Sequence, residues 1–329
     1  MAFANPNVTD VMATTIQSRS RKIADNVTKN NAILSRLSQK GRIKPFSGGY
    51  SILQELSFTE NPNGGWYSGY DILPVGIADV ISAAEYNIKQ CAVPVVISGL
   101  EMLQNSGKER MIDLMDGRLT VAESTMSNII SEGLYSNGTG SGFKQIDGLL
   151  AAVPAVATAS QTSTYGGIVR SATVTGSFWR SQYATAASNA TPSLLQPAWN
   201  NLWASCSRGS DRPDLIMVGG GMWASYMNSL QALQRFSTPE TGNLGFPSLK
   251  FMDADVVLDG GIGGQNDTNT AIFLNTDYLF FRPHSGRNMV PLSPNKRYAT
   301  NQDAEVQILA WAGNLASSGC QFQGRYVAT

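Results

Sequence analysis

The chain has 329 residues, of which 42% are hydrophobic and only 15% charged, and its formal net charge is zero. That length allows one large domain or two ordinary ones, each with its own core. Soluble domains carry about 25% charged residues, so the composition argues against a free, highly soluble monomer and fits a subunit whose surface is covered by neighbours.

Charge is unevenly placed. The first fifty residues hold eight basic side chains (Arg19, Arg21, Lys22, Lys29, Arg36, Lys40, Arg42, Lys44) against Asp10 and Asp25, and the rest of the chain is correspondingly acidic. Such a basic arm fits nucleic acid, the acidic body of a neighbouring copy, or a plain solvated helix face. Its pattern is helical over about residues 8–40, with Ile16, Ile23, Val27, Leu34 and Leu37 on one narrow face and Gly41 as the stop. Cys91, Cys206 and Cys320 are widely spaced, as free thiols are. The N-terminus lacks a signal-peptide pattern and no apolar run reaches membrane-spanning length, so a soluble protein made in a cytoplasm is expected.

Two strand patterns follow, residues 51–58 with Ile52, Leu56 and Phe58 on one side, and residues 79–90 with Val80, Ala84, Tyr86 and Ile88 in phase. About twenty residues rich in Gly, Pro, Asn and aromatics separate them. A loop of that length is functional or argues against the assignment. Trp66, Tyr67 and Tyr70 sit at its tip, where large aromatics either tuck back or anchor a partner; the partner reading is favoured. Gly64 and Gly65 are expected to allow the turn.

Ser98 with Glu101, and Ser106 with Glu109, have the spacing of two successive capping boxes. They predict a short helix and then a long one, from Lys108 to Gly133, with Met115, Leu119, Ala122, Met126 and Ile129 buried and Lys108, Arg110, Asp113, Asp116 and Glu123 on the opposite face. Residues 144–300 have a mixed α/β pattern: loops and exposed strands over 155–190, helices over about 193–207 and 222–235, and strands over 250–258, 270–275 and 278–282. Residues 304–311 and 319–327 look like a hairpin turning near Gly313-Asn314.

Catalytic signals are weak. His284 is the single histidine, which removes His-based metal clusters and most nucleophile–His pairs. The "VGGGMW" turn lacks the full dinucleotide fingerprint and fits a tight strand–helix turn better. Asp253, Asp255 and Asp259 lack the remaining features of a calcium loop and are expected on a solvated strand face. No catalytic, cofactor-binding or metal site is expected.

The order of elements, with "ILSRLSQKGRIKPFSGGYSILQEL", "NGGWYSGYD", "VVISGLEMLQNSGKERMIDLM" and "YSNGTGSGFKQIDGLL", resembles the tailed-phage major capsid proteins of the Hong Kong 97 fold over nearly the whole chain. The resemblance implies an α+β fold: an N-terminal arm (1–49), an extension loop (50–90), a peripheral domain (91–146 and 301–329) with a spine helix over 108–133, and an axial domain (147–300). It implies self-assembly into hexamers and pentamers of an icosahedral shell around double-stranded DNA. A separate scaffold, a portal and decoration proteins would be partners, and no membrane is involved. The virion capsid would be assembled in a bacterial cytoplasm. Inter-subunit contacts are then expected from Gly64, Gly65, Trp66, Tyr67, Tyr70, Arg19, Arg21, Lys22, Glu101, Lys108 and Arg110. The chain starts almost at the arm, so a scaffold would be a separate protein. Residues 59–78 contain no lysine, so the loop is expected to hold without covalent cross-links. An encapsulin-type compartment shares this fold and is the first alternative. A nucleotide-binding enzyme and another virion component, such as a tail-tube or decoration protein, follow.

Overall fold

A computed structural model describes residues 31–104, 114–171, 177–186, 192–232, 248–259, 266–292, 297–298 and 303–328. Arg19, Arg21, Lys22, Lys108 and Arg110, and the second capping box, lie outside the described residues.

Of the expected arm helix, the stretch before Asn31 lies outside the described residues. Asn31 has extended backbone and accepts from the N–H groups of Ile33 and Leu34, so helix α1 (Ala32–Gln39) starts after it. Its face carries Ile33 and Leu37 into the core. Its basic residues are bound to the chain's own body. Arg36 reaches Asp214 at 3.1 Å and Asp255 at 3.5 Å, Lys40 reaches Asp214 and Asp277, and Arg42 reaches Asp277 at 2.9 Å. Asp255 therefore lies in this ionic cluster rather than on the expected solvated face.

Strands β1 (Ser51–Ser57) and β2 (Ile81–Asn87) form an antiparallel ribbon from Ser51↔Asn87 to Ser57↔Ile81. The alternation of strand side chains puts Ile52, Leu56, Ala84 and Tyr86 inward and Leu53, Glu55, Ala83 and Glu85 outward. After Asn87 the chain enters β3 (Lys89–Ser98), which pairs with β14 (Ala304–Ser317) over its whole length, Lys89↔Gly313 to Ser98↔Ala304. The other edge of β14 is shared by β11 (Leu279–Pro283), β12 (Val290–Pro291) and β13 (Arg297–Tyr298).

The expected C-terminal hairpin is therefore absent: β14 runs straight through Gly313-Asn314. A side chain on Gly313 would come within 2.6 Å of the Arg282 carbonyl oxygen, so glycine is required by strand packing and not by a turn. Asn314 is buried. Its Oδ1 accepts from the N–H of Asp147 at 3.0 Å, and its Nδ2 donates to the Asn87 carbonyl and to Asp147, each at 2.8 Å. The last strand, β15 (Gly324–Ala328), joins a different, six-stranded sheet.

That six-stranded sheet holds β6 (Gln182–Ala186), β7 (Leu215–Val218), β8 (Ser248–Phe251), β9 (Ala254–Leu258) and β10 (Thr270–Leu274) beside β15, in the order β6–β15–β10–β7–β9–β8. The single strand expected over 250–258 is a hairpin, because Met252 takes a left-handed conformation (φ 52°) and reverses the chain between Phe251 and Ala254. Every residue of β7 and β10 is buried, since both sheet faces are covered. Ile216, Val218, Ala271 and Phe273 face the helices α4 (Pro192–Ser205) and α5 (Gly220–Ala232), where Trp199 stacks on Tyr226 at 4.9 Å and meets Phe251 and Phe273 edge-on.

Leu215, Met217, Ile272 and Leu274 face a second core with α1, the five-stranded sheet and the long helix α3 (Leu114–Leu134). Over its 21 described residues α3 is about 31 Å long. Its buried stripe is Ala122, Met126, Ile130 and Leu134, spaced by four; Ile129, expected inside, is 41% exposed, and the side chains of Met115 and Leu119 lie outside the description. The short helix α2 (Gly99–Gln104) precedes it. Its capping box is reciprocal: Glu101 Oε2 accepts from the Ser98 N–H at 3.1 Å and Ser98 Oγ from the Glu101 N–H at 3.3 Å.

Candidate assembly surface

The ribbon β1–β2 is fixed at its base and free beyond it. Its inward side chains join Ala152, Val153, Tyr165, Trp179, Phe280, Ala316 and Cys320 in a third core. Tyr86 seals the junction. Its hydroxyl donates to the Ser317 carbonyl at 3.0 Å and accepts from the Ser317 N–H at 3.1 Å. Burial, reinforced by nearby Cys320, pushes that hydroxyl's pKa well above the tyrosine range, so it stays neutral and donating. On the other side of the junction Lys89 Nζ donates to the Phe143 carbonyl at 2.6 Å and lies 3.7 Å from Asp147.

Behind this base Arg170 is completely buried. Its guanidinium donates to the carbonyls of Trp179, Ala151 and Ala152 and to Ser163 Oγ, and it lies 5.4 Å over the Tyr165 ring. Five planar donors meet a cage of main-chain acceptors, which ties three loop segments together under the ribbon. The stretch expected as loops and exposed strands thus holds the short antiparallel pair β4 (Thr164–Tyr165) and β5 (Ile168–Val169) and supplies the buried Tyr165, Arg170 and Trp179.

Residues 58–80 project from the ribbon. The tip is closed by short-range bonds: Asn61 accepts from the Asn63 N–H, Asn63 Nδ2 donates to the Gly76 carbonyl at 2.6 Å, and Asp71 accepts from the Ser68 N–H at 2.7 Å. Gly64 donates its N–H to the Asn61 carbonyl, but neither Gly64 nor Gly65 has a positive φ, so the turn is made by Asn61 rather than by glycine freedom. Trp66 and Tyr70 are fully exposed and Tyr67 is 69% exposed. None tucks back. Ile72, Val75 and Ile77, which sequence reading passed over, are also almost fully exposed, and "DILPVGIADVI" was their signal: an apolar run inside a loop. So much contiguous apolar surface on one projecting element marks an interaction site.

Glu101 is not part of this surface. It is taken up inside the chain by Ser98 and by Arg118, whose guanidinium lies 2.8 Å away. Burial alone would raise its pKa, but these donors outweigh it and hold the carboxyl below its usual range.

The "VGGG" turn is occupied by this chain's own backbone. A side chain on Gly219 would sit 1.9 Å from the Asp267 carbonyl oxygen, and the Met222 N–H at the start of α5 donates to the Thr268 carbonyl at 2.9 Å. The glycines serve a close crossing of segments, which is the tight-turn reading. Asp259 instead bonds the Tyr135 hydroxyl, and burial raises the pKa of both groups. Among the described residues no cluster of three His, Cys, Asp or Glu side chains could hold a metal ion, and no helix is long and apolar enough to cross a membrane.

No family model and no curated protein matches the sequence. Solved structures do match. The capsid asymmetric unit of cyanophage A-1(L) superposes with a TM-score of 0.68 at 14% identity, covering 93% of this chain and 94% of that one. The chain has the Hong Kong 97-like capsid fold. The capsid of a native GTA particle gives 0.61 at 11% identity over 90% of both chains. The SrpI encapsulin of Synechococcus elongatus PCC 7942 gives 0.53 at 10% identity over 99% of this chain and 96% of that one.

Proposed function

We propose that this chain is the major capsid protein of a tailed phage, assembling with copies of itself into hexamers and pentamers of an icosahedral shell that encloses double-stranded DNA. The observation that carries the reading is the projecting tip, where Trp66, Tyr67, Tyr70, Ile72, Val75 and Ile77 stand out from a rigidly anchored ribbon. A neighbouring subunit that covers this tip removes apolar surface from water, and a closed shell repeats the contact many times, so modest contacts add up to a stable particle. The role is mechanical rather than catalytic. A separate scaffold, a portal and decoration proteins would complete the virion, with assembly in the bacterial cytoplasm.

The contact is held by packing. Residues 59–78 have no lysine, and Lys89 at the base is engaged by Phe143 and Asp147. Negative-stain microscopy of the expressed chain should show closed or tubular particles, and those particles should run as single-chain bands on a denaturing gel. Particles absent at every protein concentration and salt would reject the shell reading, and a covalent ladder would reject the packing-only contact. The encapsulin match supports a second reading, a compartment shell around a protein cargo. Particles purified from the native source with DNA inside decide for the first reading, and an enzyme inside decides for the second.

A further inference from the structure

The turn that follows α3 holds its backbone in a rare form. Ser141 (φ 52°), Gly142 (φ 68°) and Phe143 (φ 64°) are left-handed one after another. Glycine takes that form freely, but in serine, and above all in phenylalanine, the Cβ crowds the carbonyl oxygen. Such strain persists only where the surroundings fix it, and it gathers at functional sites. Here both flanks are fixed. Ser136 Oγ accepts from the Gly138 N–H at 2.9 Å and donates to the Ile146 carbonyl at 2.7 Å, and Asn137 Oδ1 accepts from the N–H and the hydroxyl of Thr139. The Phe143 N–H donates to the Thr139 carbonyl at 3.2 Å, and the Phe143 carbonyl accepts from Lys89 Nζ at the ribbon base.

The side chain so held is not part of the interior. Phe143 is 71% exposed and belongs to none of the three cores. A single exposed apolar residue is ordinary on a surface, but a relaxed turn would expose it equally well. A rigid, strained turn that displays one aromatic ring, with the exposed Lys144 next to it, has the design of an interface anchor with a cation at its margin. Lys144 has no ion-pair partner among the described residues, and neither do the exposed carboxylates Glu55, Glu60, Asp79, Glu85, Glu123 and Glu132. The same elements expose apolar side chains, Leu53 and Ile81 on the ribbon and Val121 and Ile129 on α3. Every copy of the chain therefore carries, on other elements, surface of the apolar and acidic kind that the turn fits.

We infer that the Phe143–Lys144 turn is a contact to a second copy of this chain, with Phe143 buried on apolar surface of that copy and Lys144 paired with one of its exposed carboxylates. A projecting group and a receiving surface on different elements of one chain meet head to tail, and a head-to-tail contact repeats from copy to copy until a ring closes. This rests on the shell reading and gives its rings a contact besides the tip.

The test separates a contact residue from a structural one in the full-length chain. Phe143→Gly relieves the left-handed strain, so the unassembled protein should unfold at the same or a higher urea concentration, while particle yield falls at least about tenfold. Phe143→Ala keeps the Cβ and its strain, and should lose yield to the same extent without a rise in the urea midpoint. Lys144→Glu should lower yield in low salt and regain part of it in high salt, where like charges are screened. A lower urea midpoint for Phe143→Gly, or wild-type yield from any of the three variants, would overturn the inference. Phe143→p-benzoylphenylalanine keeps an aromatic side chain and gives a measure that does not depend on yield. Irradiated particles should contain a crosslinked dimer on a denaturing gel, absent from the irradiated unassembled protein. Crosslinks confined to one chain, or none, would overturn the role of a second copy. If the wild-type chain forms no particles, the shell reading itself falls and takes this inference with it; wild-type particles that ignore the variants sink the inference alone.

Discussion

Tyr86 and Ser317 are bonded twice, the tyrosine hydroxyl donating to the serine carbonyl and accepting from the serine N–H at 3.0 and 3.1 Å. They are 231 positions apart, and the pair joins the root of the projecting ribbon to the end of β14. Tyr86→Phe keeps the ring but strands both buried main-chain groups of Ser317, which costs about 1–3 kcal/mol. The unassembled chain should therefore unfold at lower urea with an unchanged slope. An unchanged midpoint would mean that the ribbon is held by its apolar contacts alone.

Arg170 is the other fastening under the ribbon. Removing it leaves the carbonyls of Ala151, Ala152 and Trp179 and the hydroxyl of Ser163 without their donors in a dry site. Arg170→Ala should cost about 3–5 kcal/mol, in the range of other uncompensated buried groups. Arg170→Lys should rescue little, because three donors at one nitrogen cannot span acceptors arranged around a planar fork. Thermal unfolding of the three proteins checks this. A lysine variant as stable as the wild type would mean that charge, rather than donor geometry, is what the cage requires.

How far the sequence could be read follows from how local each signal is. The Ser98–Glu101 box, the strands over 51–57 and 81–87 and the stretch of α3 from Ala122 to Met126 were legible because spacing within a few residues encodes them. Gly313-Asn314 was misread because its meaning is distant. Glycine is needed there by the approach of β11, and Asn314 answers to Asp147 and Asn87, so a pair with turn chemistry sits in mid-strand. The turn at Met252 failed in the opposite way, a reversal with no glycine to announce it. The exposure of the aromatic tip was legible from its composition, whereas the in-chain bond of Glu101 was not, because its partner Arg118 is seventeen residues away on another helix.

The ionic cluster on α1 gives a pH dependence with a definite sign. Burial works to raise the Asp277 pKa, but hydrogen bonds and charge from Arg42 and Lys40 prevail and lower it below its usual value. A carboxyl with a depressed folded pKa adds stability that is present above its unfolded pKa, about 3.9, and is lost as pH falls through the folded value. Hydrogen exchange in α1 and the 40–44 segment, corrected for intrinsic rates, should therefore quicken below about pH 4 while the six-stranded sheet stays protected. At neutral pH Asp277→Asn should speed tryptic cleavage after Lys40 and Arg42. Cleavage at the wild-type rate would show that Ile33 and Leu37 hold the arm without help from charge.

Trp66 separates folding from assembly. It is fully exposed, so Trp66→Ala should shift the stability of the unassembled protein by less than about 0.5 kcal/mol. Aromatic anchors that become buried at an interface cost about 2 kcal/mol or more on truncation, and a shell repeats that loss at every subunit. Particle yield, measured by sedimentation at fixed protein concentration, should collapse while circular dichroism and the urea midpoint stay put. Tyr50→Ala is the matched control, since Tyr50 is 94% exposed but lies at the opposite end of the ribbon from the tip. Equal losses from both variants would show that exposed aromatic area in general, and not the tip, drives assembly, whereas a loss confined to Trp66 places the anchor at the end of the projecting loop.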